Sequence, residues 1–271
     1  MQHRSSLSDS FNLRSRRAGW SSWNRFHCNI SGSLLLDIAD ALKSSGMLDA
    51  GYGSVNIDDC WPLRQRDVAG NIVPDPEKFP AGMGGFSKAL KAKGIGLGIY
   101  TAHGNLTCQK FPGSLGHEQQ DAALCAQWFQ RCLPSLCFWS HPLQMSSCHT
   151  CHAPAVRYKE WGVVFVKNDW CWHNEPSQSA HLAAFNAMRD ALNATGVPMV
   201  HSIHWNYDDT PGPGCERGAD CPLPATANMW RIGGDIGPNW KSVLRLIDIN
   251  TGTSNSAEPG AWNDMVGFHR G

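Results

Sequence analysis

The feature that most constrains this chain is a repeated way of ending. Seven apolar runs of strand length each finish in a polar or aromatic cluster: "AGWSSW" at 18–23, "YGSVNIDDCW" at 52–61, "GIGLGIYTAHG" at 94–104, "GVVFVKNDWC" at 162–171, "VPMVHSIHW" at 197–205, "ANMWRIGGD" at 227–235 and "PGAWNDM" at 259–265. Runs that stay apolar, rather than alternating, imply burial on both faces, as in a parallel sheet.

Helix-like stretches lie between them. "SLLLDIADALKSSG" at 33–46 sets Leu35, Ile38, Ala39 and Leu42 on one face and closes on a glycine. "FSKALKAKG" at 86–94, "AHLAAFNAMRDALNATG" at 180–196 and "NWKSVLRLIDIN" at 239–250 continue the rhythm. Strand, helix, glycine, strand is the pattern of an α/β fold. A doubly wound sheet binds ligands near its switch point. Here nearly every strand carries candidate chemistry at its C-terminal end, which favours a (β/α)8 barrel. Seven runs fall one short of that closure, so the barrel is expected to be incomplete, with two open edges and low stability.

Composition narrows the function. Lys plus Arg and Asp plus Glu both number 23, so no basic stripe points to nucleic acid and no acidic tail is present. No apolar run reaches the roughly 18 residues of a membrane span. The 12 tryptophans suit the flat apolar faces of sugar rings as well as cores. The 11 cysteines fit an oxidising compartment. The N-terminal 1–17 has no apolar h-region and is expected to be unstructured, so a secretory route implies sequence missing ahead of it.

One stretch breaks the rhythm. Residues 129–157 lack helical or strand period and are rich in Cys, His, Pro and Ser, an uncommon length for a structureless loop. Within it "CHTCH" at 148–152 matches covalent haem attachment, and Cys148 and Cys151 with His141, His149 or His152 could hold zinc. No second ligand pair or haem-packing helix accompanies them. The segment is therefore expected to be an irregular insert outside the barrel, and no metal or cofactor is expected.

Asp169 and Asp235 each end a strand, and Arg231 precedes Asp235 by four residues. Two carboxylates from separate strands, converging over a barrel mouth, are the minimum apparatus for glycoside hydrolysis. Lys167 and Arg231 would keep such carboxylates ionised. The adjacent Asp58 and Asp59 also stand at a strand end, where a turn or helix cap is the plainer alternative.

These residues sit in "GWSSWNRFHCNI", "AGYGSVNIDDCW", "GLGIYTAHGNLTCQKFPGSLGHEQQDA", "VKNDWC" and "WRIGGDI". Together they resemble glycoside hydrolase family 27, the α-galactosidases (melibiases), over 18–128 and 158–265. The resemblance implies a (β/α)8 barrel followed by a small β-sandwich, and removal of terminal α-linked galactose with retention of configuration. It implies Asp169 as nucleophile and Asp235 as general acid/base. It further implies Asp58 and Asp59 on the galactose 4- and 6-hydroxyls, sugar contacts from Trp23, Tyr100, Lys167 and Arg231, and disulfides Cys28–Cys60 and Cys108–Cys171. Asn105 and Asn193 open glycosylation sequons usable only in a secretory route. The implied setting is secreted or a lysosomal or vacuolar lumen, with a galactoside as the partner and a homodimer as one option.

Three departures accompany the resemblance. His204 in "IHW" stands where the family has the glutamate of "CEW", which leaves α-N-acetylgalactosamine or β-L-arabinopyranose open as alternative glycones. Segment 129–157 has no family counterpart. The chain also stops at "AWNDMVGFHRG", before the family's last strand and sandwich. Two other classes compete: a non-catalytic sugar-binding relative, which would normally lack both carboxylates, and a metal or haem protein built on 129–157.

Overall fold

The computed structural model describes residues 18–122, 161–171, 178–205, 221–237, 239–253 and 257–264. Segments 1–17 and 129–157 lie outside the described residues. In chain order the elements are β1 (Ala18–Ser21), α1 (Trp23–Phe26), α2 (Gly32–Ser44), β2 (Tyr52–Asn56), α3 (Gly82–Ala92), β3 (Gly96–Ala102) and α4 (Glu118–Ala122). They continue as β4 (Val163–Asp169), α5 (Gln178–Ala194), β5 (Val200–Ile203), α6 (Leu223–Thr226), β6 (Met229–Arg231), α7 (Trp240–Thr253) and β7 (Trp262–Asp264). All seven expected strands and the four longer helices are present.

The strands form one sheet in the order β1 to β7, every neighbouring pair parallel. Consecutive parallel strands joined by helices are the wall of a (β/α) barrel. Side chains alternate across that wall. Val55, Ile57, Leu97, Ile99 and Val166 belong to a buried cluster that takes in Leu35, Ala39 and Leu42 of α2 and Met83, Phe86 and Leu90 of α3. A second cluster joins Phe185 of α5 to Ile203, Trp205, Leu223, Trp230 and Ile232. Each buried Val, Leu, Ile, Phe or Met among them contributes about 1.5–3 kcal/mol through removal from water.

Local signals set the helix ends. Ser31 caps α2, its hydroxyl accepting from the Leu34 N–H at 3.2 Å. After α3 the chain turns into β3 through Gly94, whose φ of +82° lies in the left-handed region where a side chain is disfavoured. On the opposite side of the sheet from the helices, Gly98 leaves room for Asn56: a Cβ there would stand 2.0 Å from the Asn56 Oδ1. Small residues on the inner wall let polar side chains fill it.

The late strands are shorter than their apolar runs, β6 and β7 having three residues each. No helix among the described residues is long and apolar enough to cross a membrane.

Candidate active site

Parallel pairing sends the C-terminal ends of all seven strands to one rim. Trp23 opens α1 just past β1, and Asp58 and Asp59 follow β2. Lys167 and Asp169 close β4, His204 follows β5, Arg231 closes β6 and Asp235 comes four residues later. Lys167 and Asp169 are two apart on a strand and so share a face. Tyr100 on β3 is in register with Lys167. The sequence-predicted residues are therefore collected by topology, not by proximity in the chain.

Asp169 is the hub. Its Oδ2 accepts from the Tyr100 hydroxyl at 2.9 Å and lies 3.5 Å from the Lys167 Nζ. Its Oδ1 accepts from the Trp170 N–H at 2.9 Å and from the His204 Nδ1 at 2.8 Å. Burial alone would push the carboxyl up. The Lys167 ammonium, the His204 bond and the Arg231 charge outweigh it and hold Asp169 well below the usual carboxylate range. Tyr100 is pushed the other way, well above an ordinary phenol, by its own burial and then by the Asp169 charge.

Asp235 is set differently. Its Oδ1 accepts from Arg231 Nη2 at 2.7 Å, while the same Nη2 donates to the Gly233 carbonyl at 2.9 Å. Burial raises the Asp235 carboxyl, Arg231 opposes it, and the Asp169 charge adds to the rise. One carboxyl is held ionised and the other is pushed towards its protonated form.

Asp58 and Asp59 part company. The Asp58 Oδ2 accepts from Lys167 at 3.0 Å, and its main-chain N–H is anchored on the Ser22 hydroxyl at 3.0 Å. Asp59 instead accepts from the Cys60 N–H, the Thr107 hydroxyl and the Gln109 N–H, each at 2.8 Å. It thus ties the end of β2 to the loop after β3. Burial pushes Asp58 up against the pull of Lys167, and pushes Asp59 up to about 6 against those hydrogen bonds.

The disulfides Cys28–Cys60 and Cys108–Cys171 are both present, and Cys221 is disulfide-bonded as well. The first fixes Cys60, which adopts a left-handed φ of 73° just past the aspartate pair. The second brings two sulfurs beside Asp169, three ligand-type groups within 4.8 Å. Sulfurs joined to each other are not the thiolates that a metal site needs. Trp23 is half-buried, its ring edge-on to His27 at 5.1 Å.

Beneath Asp169 lies a group that sequence reasoning missed. The His103 N–H and Nδ1 both reach the Asp169 carbonyl at 3.0 Å, and His103 Nε2 pairs with His181 Nδ1 at 3.1 Å. A carbonyl only accepts, so His103 carries a proton on Nδ1. Trp170 stacks on His181 with centroids 3.6 Å apart, and His103 stacks on Phe185 at 4.6 Å. These residues come from just past β3, just past β4 and from α5, and no local spacing announces them.

An α/β barrel wall thus carries two oppositely tuned carboxyls on its rim. The family model described as Alpha galactosidase A (Melibiase_2) matches residues 15–150 and 144–268. The chain belongs to that family. It is 35% identical to the alpha-galactosidase A of Cellvibrio japonicus, over 91% of this chain and 53% of that protein. It is 36% identical to the alpha-galactosidase 3 of Arabidopsis thaliana, over 93% of this chain and 47% of that one. The crystal structure of alpha-galactosidase I from Mortierella vinacea superposes with a TM-score of 0.70 at 28% identity, covering 96% of this chain and 60% of that one. The chain spans about half the length of the curated relatives it matches.

Proposed function

We propose that this chain carries the catalytic site of a retaining exo-glycosidase that releases terminal α-D-galactosyl residues. The observation that supports it is the opposite tuning of Asp169 and Asp235 across one rim. Asp169, kept ionised by Lys167, His204 and Arg231, donates an electron pair to the anomeric carbon. The bond from that carbon to the leaving oxygen breaks, and the Asp235 proton passes to that oxygen. A glycosyl ester on Asp169 results. In the second step the ionised Asp235 takes a proton from water, whose oxygen replaces Asp169 at the anomeric carbon. Two inversions give net retention.

Asp58, with Lys167 beside it, is the acceptor for an axial sugar hydroxyl in this reading, and Arg231, Tyr100 and Trp23 complete the sugar contacts. Asp59 acts on the sugar through the loop it braces, and through whatever capacity its oxygens keep. The disulfides fit a secreted or luminal setting. A second reading, an exo-glycosidase for α-N-acetylgalactosamine or β-L-arabinopyranose, is favoured by the imidazole of His204 at the rim. Turnover of nitrophenyl α-galactoside, its N-acetylamino analogue and nitrophenyl β-L-arabinopyranoside separates the two. The α-galactoside is expected to have the highest kcat/KM, and preference for either of the others overturns the leading substrate.

A further inference from the structure

Asp169 presents two unequal oxygens. Oδ1 holds two close donors, the Trp170 N–H at 2.9 Å and His204 Nδ1 at 2.8 Å. Oδ2 has one close donor, the Tyr100 hydroxyl at 2.9 Å, with Lys167 further off at 3.5 Å. A carboxylate oxygen offers about two lone-pair directions. Oδ1 is therefore filled, and Oδ2 is the oxygen with a lone pair to give. An ionised carboxylate only accepts, so the proton of the shared bond belongs to His204 Nδ1. The ring is held in place by its own backbone, whose N–H donates to the Asn168 carbonyl at 3.2 Å. Burial first, and then Arg231, lowers the His204 pKa, which favours a neutral ring.

We propose that His204 serves the second half of the reaction: its Nδ1–H bonds the ester carbonyl oxygen, Oδ1, of the glycosylated Asp169 and stabilises the charge that returns there as the sugar leaves. This rests on Asp169 being the nucleophile. Oδ2 forms the bond to the anomeric carbon in the first step, and Oδ1 becomes the neutral carbonyl oxygen. In the second step water attacks, the bond from Oδ2 to carbon breaks, and its electron pair returns to the carboxylate. The His204 proton stays on Nδ1 throughout. A donor fixed at that oxygen bonds a carboxylate more strongly than an ester, so it stabilises both transition states relative to the covalent intermediate. Its loss deepens the intermediate. Deglycosylation slows while glycosylation, measured from free enzyme, changes little.

The test is a kinetic split in the full chain with dinitrophenyl α-galactoside. His204→Leu is expected to lower kcat about 100-fold, as for loss of an oxyanion donor. It should lower KM in parallel, leave kcat/KM within about tenfold, and show a burst of dinitrophenol with sugar trapped on Asp169. His204→Asn, whose amide nitrogen can stand where Nδ1 stood, is expected to recover kcat and lose the burst. Equal losses of kcat and kcat/KM without a burst overturn the proposal. A second measurement needs no turnover: imidazole 15N NMR should find neutral His204 protonated on Nδ1, with the signal shifted in Asp169→Ala. Protonation on Nε2 instead overturns the role of His204 alone. Absence of any sugar adduct on Asp169 in both proteins overturns the nucleophile assignment and this proposal with it.

Discussion

Lys167 reaches across from the end of β4 to Asp58 beyond β2, Nζ to Oδ2 3.0 Å, and both side chains are buried. The ion pair joins two strands that are not neighbours in the sheet. Removing one member of a buried pair leaves the other charge without compensation, at a cost of about 3–5 kcal/mol. Lys167→Met is expected to lower stability by that order in denaturant melts. It should also raise the acid limb of the kcat/KM profile, because Lys167 is the main charge holding Asp169 down. An unchanged acid limb in a folded variant would contradict this.

Asn168 sits between Lys167 and Asp169 on the opposite face of β4, fully buried. Among the described residues, neither its Oδ1 nor its Nδ2 finds a hydrogen-bond partner. A buried amide left unsatisfied costs about 1–3 kcal/mol. Asn168→Leu, similar in shape and apolar, is expected to raise the unfolding midpoint by about 2–4 °C per kcal/mol recovered, with kcat unaltered. A lower midpoint would show that the amide is satisfied in solution.

His201 on β5 supplies a pH signature. Burial lowers its pKa from 6.5 to about 4, despite a bond to the Thr226 carbonyl. The folded state prefers the neutral ring, so this contribution is present above pH 6.5 and is lost as pH falls towards 4. The interval corresponds to on the order of 3 kcal/mol. Midpoints of the wild-type chain should therefore fall more steeply between pH 6.5 and 4 than those of His201→Leu. Parallel curves would contradict a buried neutral imidazole.

The barrel wall was legible because each strand is a continuous apolar run ending in its own polar cluster, and each long helix repeats its apolar positions with the helical period. Lys167, Asp169 and Arg231 were legible for the same reason, since strand ends locate them, whereas Asp235, read as ending its strand, comes four residues past the end of β6. The short helices α1, α4 and α6 were not, since four or five residues carry too few turns for a period. Pairings such as His103 with His181, 78 residues apart, depend on which strands the sheet makes neighbours. Asp59 shows another limit. Its place beside Asp58 suggests a shared task, but three donors from the surrounding loops turn its carboxylate inward to the protein.

The proposed pairing of Asp169 as nucleophile with Asp235 as acid and base is tested most directly by the stereochemistry of the first product. Proton NMR of the anomeric signals, recorded within the first minutes of nitrophenyl α-galactoside hydrolysis, precedes mutarotation. The expected result is α-galactose first, with the β-anomer growing in later. β-Galactose first would mean a single displacement by water, and the nucleophilic role of Asp169 would be wrong.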